Sequence, residues 1–275
     1  MWILNRLLNA CTDWLLTPWS DASPWIALTF ASLLTAGCLV VLFHFSADQR
    51  ALRRTRNRFV ARLLELLLFQ HDFKINLSAC GRIFVANLSY LGAMLRPMLL
   101  AAVPLMLLFI QLACWFEWRP LRIGETAVLE VELNQSYPVA KTVVDVALPA
   151  IARLDSPGVR TLATNEQAWR VRATGSGSGP IEVRVEGHTE RKQLSVGNGM
   201  ARLSPLRTQS SLWNDVLHPS EAPLAHVSPV TRIEITYPER RLLIWGSEIH
   251  WTIAAIVLMM MFGLILGRMF GVQVA

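Results

Sequence analysis

Charge is scarce in this sequence, and three long stretches have none. Asp, Glu, Lys and Arg make up 17% of the 275 residues, against 53% hydrophobic residues and a mean hydropathy of +0.37. So little charge argues against an ordinary water-soluble domain of this length. Residues 24–45 (PWIALTFASLLTAGCLVVLFHF), 97–116 (PMLLAAVPLMLLFIQLACWF) and 249–267 (IHWTIAAIVLMMMFGLILG) hold no Lys, Arg, Asp or Glu. Each reaches the roughly 20 apolar residues that a bilayer crossing requires. Cysteine is also sparse. Cys11, Cys38, Cys80 and Cys114 form no CxxC pair, and none lies beyond position 114. That excludes a disulfide framework or a cysteine zinc site, and leaves small apolar packing as their role.

Catalytic signatures are missing too. There is no G-x-S-x-G, no HExxH and no P-loop. His188, His218 and His226 follow in the later half, and His218 and His226 stand near Asp215 and Glu221. The spacing is too loose for convergent metal ligands, so surface histidines are expected. The expectation is a protein that is not an enzyme, with no catalytic residue, metal, cofactor or small-molecule substrate.

What is present is an ordered layout. In residues 1–23, Trp2, Leu4, Leu7, Leu8, Cys11, Leu15 and Leu16 recur at helical spacing, interrupted by Asn5, Arg6, Asn9, Thr12 and Asp13. This reads as an amphipathic helix in the membrane interface. Arg6 and Asp13 leave no clean signal-peptide core.

Residues 46–96 are strongly basic, with Arg50, Arg53, Arg54, Arg56, Arg58 and Arg62 leading and only Asp48, Glu65 and Asp72 opposing. By the positive-inside rule this loop is cytoplasmic. The N-terminus is then outside and the tail, residues 268–275, inside. Trp19 and Trp25, Trp115 and Trp118, and Trp245 and Trp251 fall together at the outer interface, as an aromatic belt would.

Helical spacing of Leu52, Phe59, Leu63, Leu66 and Leu67 predicts a helix from 47 to about 69. Ser78 is placed to cap a second one through Ile83, Leu88, Leu91 and Leu95, completing a helical hairpin. Its arginines suit anionic lipid headgroups, ribosomal RNA or a nascent chain, all by the same charge chemistry. The second apolar run opens on Arg96 and Pro97 and contains Pro104. Arg96 would sit at the cytoplasmic interface, Pro97 would mark the joint between hairpin and span, and Pro104 would kink the span.

Between the second and third runs, residues 119–240 change texture. TAVLEVELN, KTVVDVALP, QAWRVRATG, PIEVRVEG and TRIEITYP alternate apolar and polar, separated by NQSYP, LDSPG, GSGSGP and VGNG. This predicts an extracytoplasmic all-β, immunoglobulin-like sandwich. Residues 204–230 read as a long loop with a short helix around 211–217. The fold class is thus an α-helical membrane protein, with three transmembrane helices and a cytoplasmic αα-hairpin, carrying a β-sandwich.

The hairpin QRALRRTRNRFVARLLELLLFQ…LSYLGAMLRPM and the span RPMLLAAVPLMLLFIQL, in this order of elements, resemble the YidC/Oxa superfamily of membrane insertases. The likeness covers about half the chain. It is nearest the minimal three-span branch, which includes archaeal YidC-like proteins and the third subunit of the ER membrane protein complex. A β-domain here replaces the short connection usual in that family. The arginine often found in its first core span has no counterpart within residues 25–43, where only His44 follows at the inner end.

The resemblance implies a hydrated, cytoplasm-facing groove that receives hydrophobic segments of client membrane proteins. Its candidate polar residues are Thr29, Ser32 and Thr35 on one helical stripe, with Arg96 and Gln111. The same hydroxyls equally suit close helix packing, and Gln111 a hydrogen bond to a neighbouring helix. Met259, Met260 and Met261 offer adaptable apolar surface or fill gaps. Two functions follow. One is insertase-like assistance to nascent membrane proteins. The other is a membrane-anchored module whose β-domain holds an extracytoplasmic protein. A bacterial cytoplasmic membrane fits both.

Overall fold

The computed structural model of the protein describes residues 2–46, 57, 60, 73–244 and 246–270. Arg50, Arg53, Arg54, Arg56, Arg58 and Arg62, the first arm of the expected hairpin save Asn57 and Val60, Trp245 and residues 271–275 lie outside the described residues. The elements are α1 (Trp2–Leu16), a short 3-10 turn (Thr17–Trp19), α2 (Pro24–Ser46), α3 (Phe73–Phe116), strands β1 (Thr126–Leu133), β2 (Val144–Ala147), β3 (Ala152–Leu154), β4 (Val159–Thr161), β5 (Glu166–Ala173), β6 (Gly177–Val185), β7 (His188–Val196) and β8 (Leu206–Thr208), helix α4 (Leu212–Leu217), strands β9 (Val230–Ile235), β10 (Arg241–Ile244) and β11 (Ser247–His250), and α5 (Trp251–Met269).

Among the described residues, three helical stretches are long and apolar enough to cross a membrane: Pro24–Phe45, Met98–Phe116 and Trp251–Met269. The third begins two residues later than expected, because Ile249 and His250 close the β10–β11 hairpin. A larger correction concerns α3. It runs unbroken for 44 residues, about 65 Å at 1.5 Å per residue. The helix is already formed at Phe73, so Ser78 is no cap. The expected joint at Pro97 falls within continuous helix, and the helix also continues through Pro104. Each proline removes one N–H, whereas unwinding an apolar helix would strand several backbone groups where no water can reach them.

The chain forms two compact units. The first contains residues 1–28 and 109–252, that is α1, the first turn of α2, the last turns of α3, and the whole β-domain. The second contains the rest of α2, α3 up to Leu108, and α5 from Ile253.

In the second unit, Ala31, Ser32, Thr35, Ala36 and Val40 form the buried stripe of α2. Their small side chains are what lets helices approach closely in an apolar setting. Gly37 faces Leu266 of α5, whose Cδ1 would lie 3.9 Å from an added Cβ. On α5, Met259 is buried while Met260 and Met261 are exposed.

The β-domain consists of antiparallel sheets. The larger has the order β3-β5-β1-β9-β8, with β4 also paired to β5; the smaller is β2-β6-β7; β10 and β11 form a separate hairpin. Alternation chooses the faces. On β1, Ala127, Leu129, Val131 and Leu133 turn inward while the residues between them are more exposed. Trp169 and Val171 of β5, Ile181 and Val183 of β6, Leu194 of β7 and Ile233 of β9 join them in one core shared by both larger sheets. Burying each such side chain contributes about 1.5–3 kcal/mol.

Glu186 and Gly187, with φ of 47° and 81°, make the two-residue turn between β6 and β7. Positive φ at both positions matches the right-handed twist of the flanking strands. Asn165, with φ of 56°, enters β5 and ties down a neighbouring loop. Its Oδ1 accepts from the Val139 N–H at 2.7 Å, and its Nδ2 donates to the carbonyls of Leu133 and Asn134 at 3.0 and 3.2 Å.

β7 is the outer strand of its sheet, and side chains satisfy its free margin. The Tyr237 hydroxyl accepts from the Ser195 N–H at 3.1 Å and donates to the Gln193 carbonyl at 3.4 Å. Glu221 accepts from the Gln193 N–H at 2.8 Å, and the Arg207 guanidinium donates to the Arg191 carbonyl. A strand so covered cannot recruit another. Burial pushes the Tyr237 phenol well above its usual range, so it remains a neutral donor. Tyr237→Phe is expected to destabilise the protein by about 1–2 kcal/mol, because the Ser195 N–H loses its acceptor; denaturant unfolding of the full chain in detergent checks it.

Candidate functional site

The first unit brings α1, the ends of α2 and α3, and the 197–224 segment into contact. Asn5, Asn9, Thr12 and Asp13 fall at helical spacing on one side of α1. That side is the one that docks. Asn5 and Asn9 are 3% and 5% exposed, while Ile3, Leu7 and Trp14 are 76%, 65% and 79% exposed. Asn5 Nδ2 donates to the Asp215 carbonyl, and Asn9 Nδ2 to that of Pro219 at 2.7 Å. Asp13 pairs with Arg202 at 3.1 Å. Burial raises the Asp13 carboxyl above its usual value, and the Arg202 charge opposes the rise. The helix is amphipathic as expected, but its polar face grips the β-domain and its apolar face is left outward. That is the arrangement for a helix bathed in lipid on its outer side.

Gln111 joins this dock. It is 1% exposed, and its Oε1 accepts from the Thr12 hydroxyl at 3.4 Å. Of the expected groove residues, Gln111 therefore belongs to the first unit. Ser32 and Thr35 belong to the buried stripe of the second, and Thr29 is half-buried at its start. Thr29, Ser32 and Thr35 do share one side of α2, and the Ser32 hydroxyl is buried without a hydrogen-bond partner. Arg96 and Pro97 lie in the helical course of α3, as does the half-buried Pro104.

Beyond α1, an unexpected ionic cluster anchors the 197–224 segment. Lys192, on β7, is 0% exposed. Its Nζ donates to the Glu221 carboxylate and the Ser204 carbonyl. Arg207 completes the cluster, lying 3.5 Å from Glu190 and donating to the Ala222 carbonyl at 2.6 Å. Burial lowers the Lys192 ammonium below its usual range, with Glu221 opposing. The same burial, and then the charge of Lys192, lowers His218.

His218 lines a cavity of about 270 Å³ with Cys114, Glu117, Ser220, Arg232 and Glu234. Its wall mixes acid, base and thiol. Among the described residues, however, no group of three or more His, Cys, Asp or Glu is placed to hold a metal. His188 and His226 are exposed, as expected.

Sequence reasoning passed over Asn5, Asn9, Lys192 and Glu221. The first two are legible as a polar stripe at i, i+4, once a polar face is allowed to be the docking face. Lys192 and Glu221 are 29 positions apart and carry no local signal.

Comparison of the chain with protein-family models, with curated proteins and with solved structures returns no match.

Replacing Asn9 by Ala is expected to cost about 1–2 kcal/mol, because the Pro219 carbonyl is left unsatisfied. Ile3→Ala on the outward face should leave detergent-solubilised stability unchanged. Thermal unfolding of the two variants separates the roles of the two faces. Glu221→Ala should cost more, about 3 kcal/mol, since it strands a buried ammonium. In that variant Lys192 is depressed in the folded state relative to the unfolded value near 10.5. The penalty is therefore full only below the depressed folded-state pKa and fades as pH rises from there toward 10.5, where the unfolded chain also loses the proton. Unfolding curves recorded from neutral to alkaline pH check the sign.

Proposed function

We propose that the protein is a membrane-anchored binding module whose β-domain holds a protein partner at the membrane surface. The observation that carries this reading is the contrast between two sheet margins. The β7 margin is covered by Tyr237, Glu221 and Arg207. The opposite sheet ends in β3 and β4, which both pair with β5 on the side away from β1. There Leu154, Val159 and Leu162 are 44%, 64% and 70% exposed. Arg153 and Arg160 are exposed on the same two strands. An apolar, basic margin suits an extended acidic and apolar segment of another protein, added as a further strand.

In this reading the two larger sheets are an immunoglobulin-like sandwich. The domain stands on the outer side of a cytoplasmic membrane, bacterial by its layout, with the N-terminus outside and the C-terminus inside. The polar grip of α1 supports the proposal, because it ties to the domain itself a helix whose apolar face is outward.

A second reading keeps the client groove implied by the YidC/Oxa resemblance. The buried, unpartnered hydroxyl of Ser32 favours it, since a polar group without a partner in an apolar helix suits a transient polar visitor.

Photocrosslinking in cells compares the two. A crosslinker at Leu162 is expected to trap one discrete protein, and Val159→Asp should abolish the product without altering the fold. Crosslinks from Ser32 to many nascent membrane proteins, with none from Leu162, would overturn the first reading in favour of the second.

A further inference from the structure

The chain enters the β-domain through residues 117–121 and leaves it through 238–240, and the two segments are bonded to each other. The Arg119 N–H donates to the Pro238 carbonyl at 3.0 Å, and the Arg240 N–H to that of Glu117 at 2.8 Å. This antiparallel neck fixes Arg240, a residue only 9% exposed. Its Nε and Nη2 are buried with no hydrogen-bond partner. A buried guanidinium without a counter-charge costs several kcal/mol and is rarely left so.

Arg240 lines a cavity of about 420 Å³ with Arg119, Arg122, Arg241, Glu239 and Glu248; Pro24, Leu243 and the Gly197–Gly199 loop are also on its wall. That volume lies within the roughly 300–1,000 Å³ of small-molecule sites. Four arginines and two glutamates thus line it, and the acids are already engaged. Arg241 holds Glu248 at 3.1 Å and Glu239 at 3.3 Å. Arg119 is held in a two-pronged pair by Glu125 at 2.8 and 2.9 Å, which draws the Glu125 carboxyl down to about 2. Among the described residues no carboxylate pairs with Arg240, and Arg122 stands exposed at the rim. Burial, then the neighbouring charge of Arg119, brings the Arg240 guanidinium down to about 10, so it is still a cation at neutral pH.

We infer that this cavity binds a phosphate group, with Arg240 as its buried ligand and Arg122 as its rim. Guanidinium groups donate paired, charge-assisted hydrogen bonds to phosphate oxygens. The location indicates a phospholipid headgroup as the source. Pro24 is the first residue of α2, Arg119 lies three residues beyond the end of α3, and Glu248 three before the start of α5. Trp25 donates from Nε1 to the Leu243 carbonyl at 3.2 Å in the same place. Tryptophan at the end of a span marks the headgroup level of a bilayer. The site is independent of the β3–β4 margin and of whatever partner that margin takes.

The test uses the full chain in nanodiscs of phosphatidylglycerol or of phosphatidylcholine, and in detergent with inorganic phosphate or chloride. Native mass spectrometry counts retained lipid, and thermal unfolding reads stabilisation. A retained phosphatidylglycerol and a raised Tm are expected, and Arg240→Gln should weaken retention about tenfold or more. Arg122→Gln, an exposed change that leaves the fold intact, should weaken it several-fold, and Arg160→Gln on the far margin not at all. Stabilisation by inorganic phosphate alone, lost in Arg122→Gln, assigns the same site to free phosphate. A wild-type protein indifferent to both lipid and phosphate, or an Arg122→Gln protein binding as wild type does, overturns the inference.

Discussion

The structure depends on one constraint at its neck: the segment that leaves α3 for the β-domain and the segment that leaves the β-domain for the β10–β11 hairpin must both satisfy their backbone groups. They do so against each other, through the Arg119–Pro238 and Arg240–Glu117 hydrogen bonds. Neighbouring bonds extend the same solution. The Met200 N–H donates to the Ser20 carbonyl at 2.7 Å, and the Leu203 N–H to the Cys114 carbonyl at 2.8 Å. Helix ends that would otherwise hold orphaned carbonyls thereby become points of attachment. Within the first unit, backbone bonds thus join the β-domain to the end of α3 and to the turn that precedes α2.

Two buried cations then have contrasting fates. Lys192 is fully enclosed but answered by Glu221, and the pair closes one margin of a sheet while fixing the segment that grips α1. Arg240 is nearly as enclosed, and among the described residues no group answers its Nε or Nη2. The same cost of burying charge thus explains a structural clamp in one place and an anion site in the other. Helix α1 adds a third case of polar groups turned inward. Its asparagines bond the carbonyls of residues 215 and 219, and Ile3, Leu7 and Trp14 face out.

Local pattern carried much of the architecture. The three apolar runs became the three long apolar helices, β1 and β2 lie within the segments whose alternation announced them, and β5, β6 and β9 overlap theirs, β6 starting three residues early in the GSGSGP stretch expected as a turn. The short helix at Leu212–Leu217 follows Ser211, whose hydroxyl accepts from the Asn214 N–H as an N-cap should. β7 escaped notice because HTERKQLSV breaks the apolar alternation with a lysine that only a distant glutamate makes tolerable. β3, β4, β8, β10 and β11 are three or four residues long, too short for a period to register. Of the candidate groove, the α2 stripe of Thr29, Ser32 and Thr35 was legible because helical spacing alone aligns it. The attachment of Gln111 to Thr12 was not, since 99 positions separate them.

By itself, the sequence determined that this chain has three stretches suited to a bilayer, a basic segment between the first two and an alternating β-domain between the last two. Those properties are local: hydropathy and periodicity act over a few turns or strands. Tertiary structure alone decided which face of α1 is inside, which sheet margin is covered, and which arginine is left without a counter-charge. Those outcomes depend on pairings between residues tens to hundreds of positions apart, where the cost of burying a polar group is set by whatever the fold brings beside it.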